Sequence, residues 1–280
     1  MIESIINPEN VEKRPWEAFI AGFLFTIVAC LLVLQMGMSG HEGAGFLIVA
    51  FISIAAAPFF VRMFDIEEKK EKKKGLFSRH DQIIQVYAFF FLSVILASSL
   101  IYVLMTPYGD SLFIDQAKDL KAKGIIKAQA TAPVTYVTMK PGFFEILKNN
   151  LTILLLAFIF SLMLGAGAVF LISWNATVIG TLIGKIAENP QQYGFIAISN
   201  SPMINYLVAL PMTLLKLLPH GMFEFAGYFF GAVAGGILSV AIVKNRFISF
   251  QIKQPLIDSA IYLALSAFLI FIGAVIEVIV

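Results

Sequence analysis

His220 and Glu224 are the residues of this chain best placed to do chemistry. They lie in Pro219-His220-Gly221-Met222-Phe223-Glu224, between two strongly apolar runs. Pro219 fits the first turn of a helix, where its missing N–H costs nothing. His220 and Glu224 then stand four residues apart and share a helix face. Lys216 closes the preceding run and reaches the same place. A carboxylate near the bilayer centre costs about 2.5–3.5 kcal/mol on insertion scales, and less near the interface. Glu224 is therefore expected to face other helices and to find a partner, Lys216 and His220 being nearest in sequence. His and Glu one turn apart can both ligate zinc, but a catalytic zinc usually takes three protein ligands. The other histidines are His41 and His80, and His80 is expected at the opposite face of the membrane. The chain has no HExxH, no paired-carboxylate helix and no CxxC. No catalytic residue, metal or cofactor is assigned. A helix cap joined to an interhelical hydrogen-bond network is the plainer expectation.

Other polar and small residues support that network. Asn149 and Asn150 open one apolar run, and Asn175 closes it after Trp174. Gly227, Gly231 and Gly235 repeat every four residues, a small-xxx-small stripe that lets another helix backbone come close. Gly165 and Gly167 allow the same. The partner helix of the stripe, from this chain or from a second copy, is not specified by sequence.

These residues must be held by membrane helices. Of 280 residues, 59% are hydrophobic and 14% charged, against roughly 25% charged in soluble chains. A surplus of this size has no globular core to enter and reads as an all-α, polytopic membrane protein. The net charge of +2 gives no case for nucleic acid. Cys30 is alone and reads as an apolar packing group. No small-x-small cleavage site follows the first apolar run, so that run is expected to be a retained span.

Seven spans follow from stretches of about 20 apolar residues: 17–37, 45–64, 83–105, 150–173, 203–218, 221–243 and 256–278. Pro58 and Pro211 fall inside spans. Segment 67–74 is a solvated charge run. Within the long loop 106–142, Leu112, Phe113, Ala117 and Leu120 share a helical face, and 133–139 alternates as an extended strand does. Segment 174–202 reads as a continued helix or a re-entrant element at the cytoplasmic face. With the N-terminus in the cytoplasm, segments 1–16, 62–82, 174–202 and 244–255 carry thirteen Lys and Arg, and the outer segments carry five. The positive-inside rule selects that orientation.

Residues 143–243 resemble the stage II sporulation protein M family of integral membrane proteins. The likeness rests on LKNNLTILLLAFIFSLMLGAGAVFLISWNATVIG at 147–180 and LLPHGMFEFAGYFFGAVAGG at 217–236. Its elements are Asn149 and Asn150 opening a span, Gly165 and Gly167 within it, Asn175 and Gly180, then Pro219, His220, Gly221 and Glu224 followed by Gly227 and Gly231. The resemblance implies a five-span core at 83–280, preceded by an added two-span hairpin within 1–82. It also implies a non-enzymatic role. The family's namesake is the membrane scaffold of an engulfment complex that recruits extracytoplasmic cell-wall hydrolases, and the family reaches well beyond sporulation.

The resulting expectation is a multi-pass cell-membrane scaffold in contact with lipid, a homo-oligomer that meets an extracytoplasmic partner protein. A channel or transporter for a small solute is the alternative. An intramembrane metal-dependent hydrolase is the third class.

Overall fold

The computed structural model describes residues 14–69, 76–106, 108–123, 142–243 and 252–279. The alternating stretch 133–139 and most of the charge run at 67–74 lie outside them. The helices are α1 (Glu17–Gln35), α2 (Ala44–Lys69), α3 (Leu76–Leu104), α4 (Gly109–Leu112), α5 (Ile114–Ala122), α6 (Phe143–Leu164), α7 (Ala168–Glu188), α8 (Pro202–Val243) and α9 (Lys253–Ile279), with a 3-10 turn at Pro190–Tyr193. Among the described residues there is no strand. Seven of the helices are long and apolar enough to cross a membrane. The chain is a polytopic α-helical membrane protein. In lipid each backbone group must find its partner within the span, which is why runs of this composition become helices.

Two span assignments differ from the sequence expectation. The run read as one span at 150–173 is split at Gly165–Gly167 into α6 and α7. Gly165 has φ +69°, a conformation costly for other residues. A Cβ on Gly167 would lie 2.6 Å from the carbonyl carbon of Phe160. The chain turns at these two glycines, with no polar residue to mark the corner. Conversely, the two spans read at 203–218 and 221–243 are one helix, α8, of 42 residues. Pro211 and Pro219 both lie inside it. In a bundle, neighbouring helices and local adjustment can re-satisfy the backbone groups that a proline frees.

Contacts fix the directions. Helices α1 and α3 run parallel, with Gly22 against Phe90 and Ser93. Helix α7 runs parallel to α3, with Gly180 against Ser98 and Gly184 against Tyr102. It runs antiparallel to α2, where Phe46 stacks on Trp174 at 4.5 Å and Val61 meets Gly165. Helices α6 and α8 are parallel to each other, and α9 is antiparallel to both. Two ends result. One holds the start of α1, the α6–α7 corner and the ends of α2 and α8. The other, called the cap end here, holds the α1–α2 turn, α4, α5, residues 189–201 and the end of α9. Segment 189–201 thus belongs to the end opposite the one expected for 174–202. The two differences cancel, and the count of seven spans stands.

Helix α8 is about 63 Å long at 1.5 Å per residue, twice a hydrocarbon core of about 30 Å. Tyr206 meets Ser99 at 2.9 Å, and Phe225 meets Phe91 at 4.6 Å. These contacts are about 28 Å apart along α8 and about 12 Å apart along α3. The stretch between them therefore runs obliquely, and it contains both prolines, the usual cause of a helix kink. Beyond Phe225 the two helices keep step, through Tyr87 and Phe229 at 6.1 Å. Phe60 stacks on Tyr87 at 4.4 Å and meets Phe90 edge-on at 5.3 Å. Such ring pairs contribute about 0.5–1.5 kcal/mol each beyond area burial, and here they join α2, α3 and α8.

Candidate functional site: a buried polar network between α6, α8 and α9

Helices α6, α8 and α9 pack so closely because small residues line their contacts. A Cβ on Gly227 would lie 2.8 Å from Ile270 Cγ1, and one on Gly235 would lie 2.8 Å from Ser161 Cβ. Gly231 faces the end of the Leu154 side chain. The stripe is filled from within the chain. Ser161 donates to the Ala232 carbonyl at 2.8 Å, Ser259 donates to the Ala234 carbonyl at 3.0 Å, and Ser266 donates to the Gly227 carbonyl. Close backbone approach places acceptors of α8 within reach of hydroxyls on both neighbours.

The same packing places the ionisable groups. Asn150 Nδ2 donates to Glu224 Oε1 at 2.7 Å. Tyr228 donates its hydroxyl to Asn150 Oδ1 at 2.7 Å, and Asn149 Nδ2 reaches the same oxygen at 3.2 Å. Asn150 and Glu224 are buried, at 5% and 8% exposure. From α9, Glu277 comes within hydrogen-bonding reach of Glu224. Gly273 leaves room for this approach: a Cβ there would lie 2.7 Å from Glu224 Cγ and 3.2 Å from the His220 carbonyl oxygen. Asn150 is seven residues into α6 and Glu277 two residues from the end of α9. The network therefore sits between about half a turn and two turns inside the cap end.

The residues singled out in sequence divide accordingly. Asn149, Asn150 and Glu224 come together, with His220 one turn before Glu224. His220 Nδ1 is buried and meets no hydrogen-bonding group among the described residues, so His220 is not the partner expected for Glu224. Nor is Lys216, whose ammonium lies 4.0 Å from the Phe195 ring centroid. Lys216 faces Phe195 instead. Asn175 donates to the Leu171 carbonyl of its own helix at 2.8 Å and stands apart from the network. Tyr228 and Glu277 were missed by sequence reasoning. Tyr228 lies four residues after Glu224, a spacing that could have found it; Glu277 has no local signal. Among the described residues no three His, Cys, Asp or Glu side chains converge as metal ligands do. His80 packs on Tyr262, far from His220.

A second cluster ties the cap together. The Asp115 carboxylate accepts from Gly43 N at 3.0 Å and Gly45 N at 2.9 Å. It caps the N-terminus of α2, where free amides favour an anion. Gln116 Nε2 donates to the Gly45 carbonyl and to Thr177 Oγ1, each at 3.2 Å. Tyr102 donates to Asp110 at 2.5 Å, and Lys185 pairs with the same carboxylate. Burial works against the Asp110 charge, but hydrogen bonds from Lys185 and Tyr102 outweigh it and hold the carboxyl below its usual range. Burial first, then the Asp110 and Glu188 charges, push the Tyr193 hydroxyl up to about 12.

Comparison with known families decides the assignment. Residues 46–280 match the family model described as stage II sporulation protein M. The chain belongs to that family. The match opens at the head of α2 and takes in six of the seven spans. No curated protein and no solved structure matches the chain. In this member of the stage II sporulation protein M family, α1 and α2 line the common core. They pack on α3 and α7 within the same core.

Proposed function

We propose that this protein is a non-enzymatic scaffold of the cell membrane, which presents its cap end to a partner protein outside the cytoplasm. The observation that carries the reading is the cross-tied cap. Asp115, Gln116 and Lys185 join three segments distant in sequence: the α1–α2 turn, α4–α5 and the end of α7. Ser39 and Ser111 add a further hydrogen bond at 2.9 Å. A loop that only linked two spans would need none of these ties. Beside them opens a recess of about 400 Å³ whose lining includes Asp110, Lys118, Lys121 and Lys185. Its lysines suit an acidic group on the partner.

The polar groups in the membrane support the same reading. Asn150, Glu224 and Tyr228 hydrogen-bond one another across α6 and α8, an interhelical tie of the kind a scaffold uses. With the corrected spans, the segments at the end opposite the cap carry twelve Lys and Arg and the cap end carries six, Lys185 included, which favours a cytoplasmic N-terminus. Association of copies has to use lipid-facing surfaces, because the glycine stripe is occupied within the chain.

The test places a photo-crosslinking amino acid at Lys121 in the cap and at Phe268 on the exposed face of α9, in living cells. A discrete protein adduct from position 121, and lipid alone from position 268, is expected. Absence of protein adducts from the cap, together with a solute flux in liposomes that disappears in Glu224→Gln, would establish a transporter instead.

A further inference from the structure

We propose that the first half of α8, residues 202–219, lies obliquely in the cap-side leaflet alone as a wedge, and that through it the protein favours membranes in which that leaflet is convex. Helix α8 changes partners at its second proline. Beyond Pro219 it is gripped by α6 and α9, at His220, Glu224, Gly227, Gly231 and Gly235. Before Pro219 it is moored to α3 and α7 at the cap end. Tyr206 meets Ser99 at 2.9 Å, and Asn205 Nδ2 donates to the carbonyl of Ala187, next to the end of α7, at 3.2 Å. Between Tyr206 and Phe225, about 28 Å of helix rises only about 12 Å along α3.

The depth of this stretch follows from α3. Ser99 lies five residues before the end of α3, about 7.5 Å inside it. Leu104, at that end, is apolar and 59% exposed, so hydrocarbon reaches at least that far. The start of α8 therefore lies among acyl chains, and the face it turns outward has the composition they demand. Leu207, Met212, Leu215 and Leu218 are all exposed, Leu207 to 70%. Lys216 is the one charged residue of 202–219. Its ammonium lies over Phe195 of the cap-end segment, as a lysine near a membrane surface snorkels toward water. The occupant of this face is thus the lipid of the cap-side leaflet, continuous with the lipid around the neighbouring spans. Residues 202–219 add about 27 Å of helix, about 10 Å wide, to that leaflet. In the other leaflet α8 keeps step with α3 and takes the cross-section of a single helix. A body broader in one leaflet fits a bilayer whose matching side is convex, where lipid packing is loosest. The wedge is independent of whether the cap engages a partner.

The experiment uses the full chain with Cys30→Ala as background, inserted into vesicles with the cap outward. A spin label on Leu207→Cys or Leu215→Cys reports depth through its collisions with dissolved oxygen and with a water-soluble nickel chelate. Both labels are expected in hydrocarbon, open to oxygen, at depths that differ by about 5 Å, where an upright helix would separate them by about 12 Å. The larger separation overturns the wedge. So do labels open to nickel, or labels shielded from both reagents, which would mean that a second copy of the chain covers the face. The curvature preference is read from fluorescently labelled protein in membrane tubes drawn from giant vesicles, the cap side outermost. Several-fold enrichment in the tube over the flat membrane is expected. Leu207→Asn with Leu215→Asn weakens the hold of the wedge on the acyl chains and lowers that enrichment; Leu207→Ala with Leu215→Ala serves if the first pair does not fold. Equal density in tube and flat membrane overturns the preference, as does an enrichment that a folded variant leaves unchanged.

Discussion

Replacing Gly235 by alanine separates backbone contact from side-chain contact in the α6–α8 interface. The new methyl would meet α6 at the Phe158 carbonyl oxygen, at Ser161 Cβ (2.8 Å) and at Leu162 N (3.0 Å). Two of these are backbone atoms of a regular helix and cannot swing aside. The helices must move apart. Overpacking of this kind costs about 1–3 kcal/mol. The Ser161 hydrogen bond to Ala232, one turn away, is stretched as well, at about 0.6 kcal/mol for an interhelical bond in a membrane protein. Alanine's better helix propensity returns up to about 1 kcal/mol. The net expectation is a loss of about 1–3 kcal/mol. Gly231→Ala is the internal control. Its methyl meets the tip of Leu154, a flexible side chain that can change rotamer, so cost and propensity nearly cancel. Equilibrium unfolding of both variants in mixed micelles of mild detergent and dodecyl sulfate measures the difference. Equal stabilities, or a Gly235→Ala protein more stable than wild type, would refute the distinction between backbone and side-chain contact.

Asn150→Leu strips Glu224 Oε1 and the Tyr228 hydroxyl of their partner at once, and should cost about 1–3 kcal/mol; Tyr228→Phe removes one bond and should cost less than half of that in the same unfolding measurement. Asp115→Ala removes the acceptor that caps α2, for a loss of about 0.5–2 kcal/mol, and should speed proteolysis in the 36–43 turn. Asp110 is held below its ordinary range, so its pairing with Lys185 stabilises the protein at neutral pH and is lost as pH falls through the depressed value. An acid titration of the melting temperature should therefore show a step in the wild type that is missing in Asp110→Asn. Lys216→Met should leave the Glu224 network intact and change stability by under about 1 kcal/mol, whereas a Lys216–Glu224 pair would have made it costly.

Hydropathy reads well wherever polar residues punctuate the chain, and this chain is only partly punctuated. Spans α1, α2, α3 and α9 stand out because the charge run after Ile66, the long loop after Leu104 and the basic connector after Val243 bound them. The Gly165–Gly167 corner carries no polar residue, so hydropathy puts the break about eight residues late, at the more visible Trp174-Asn175. Pro219 fits a helix start by a rule learned in water; in lipid a proline deep in a helix keeps its place when neighbours absorb the defect. At the site, Glu224 was legible because its burial demands a partner. The identity of that partner was not, since Asn150 and Glu277 lie 74 and 53 residues away, and only the parallel run of α6 and α8 and the return of α9 bring them in. Lys216 fails for a related reason: it is near Glu224 in sequence, but its ammonium lies over Phe195.

The cap on α2 has a consequence for how the protein is made. The amides of Gly43 and Gly45 are satisfied by Asp115, a carboxylate some 70 residues further along the chain. Gln116 ties the Gly45 carbonyl to Thr177 of α7. While the ribosome is still producing α3, the first hairpin has entered the bilayer with its turn unfinished. It is sealed only after α5 has emerged and α7 has been inserted beside it. Assembly of the cap is thus a late event that reports on the whole bundle, and a chain truncated before α7 would expose an open α1–α2 turn to proteases that recognise incomplete membrane proteins.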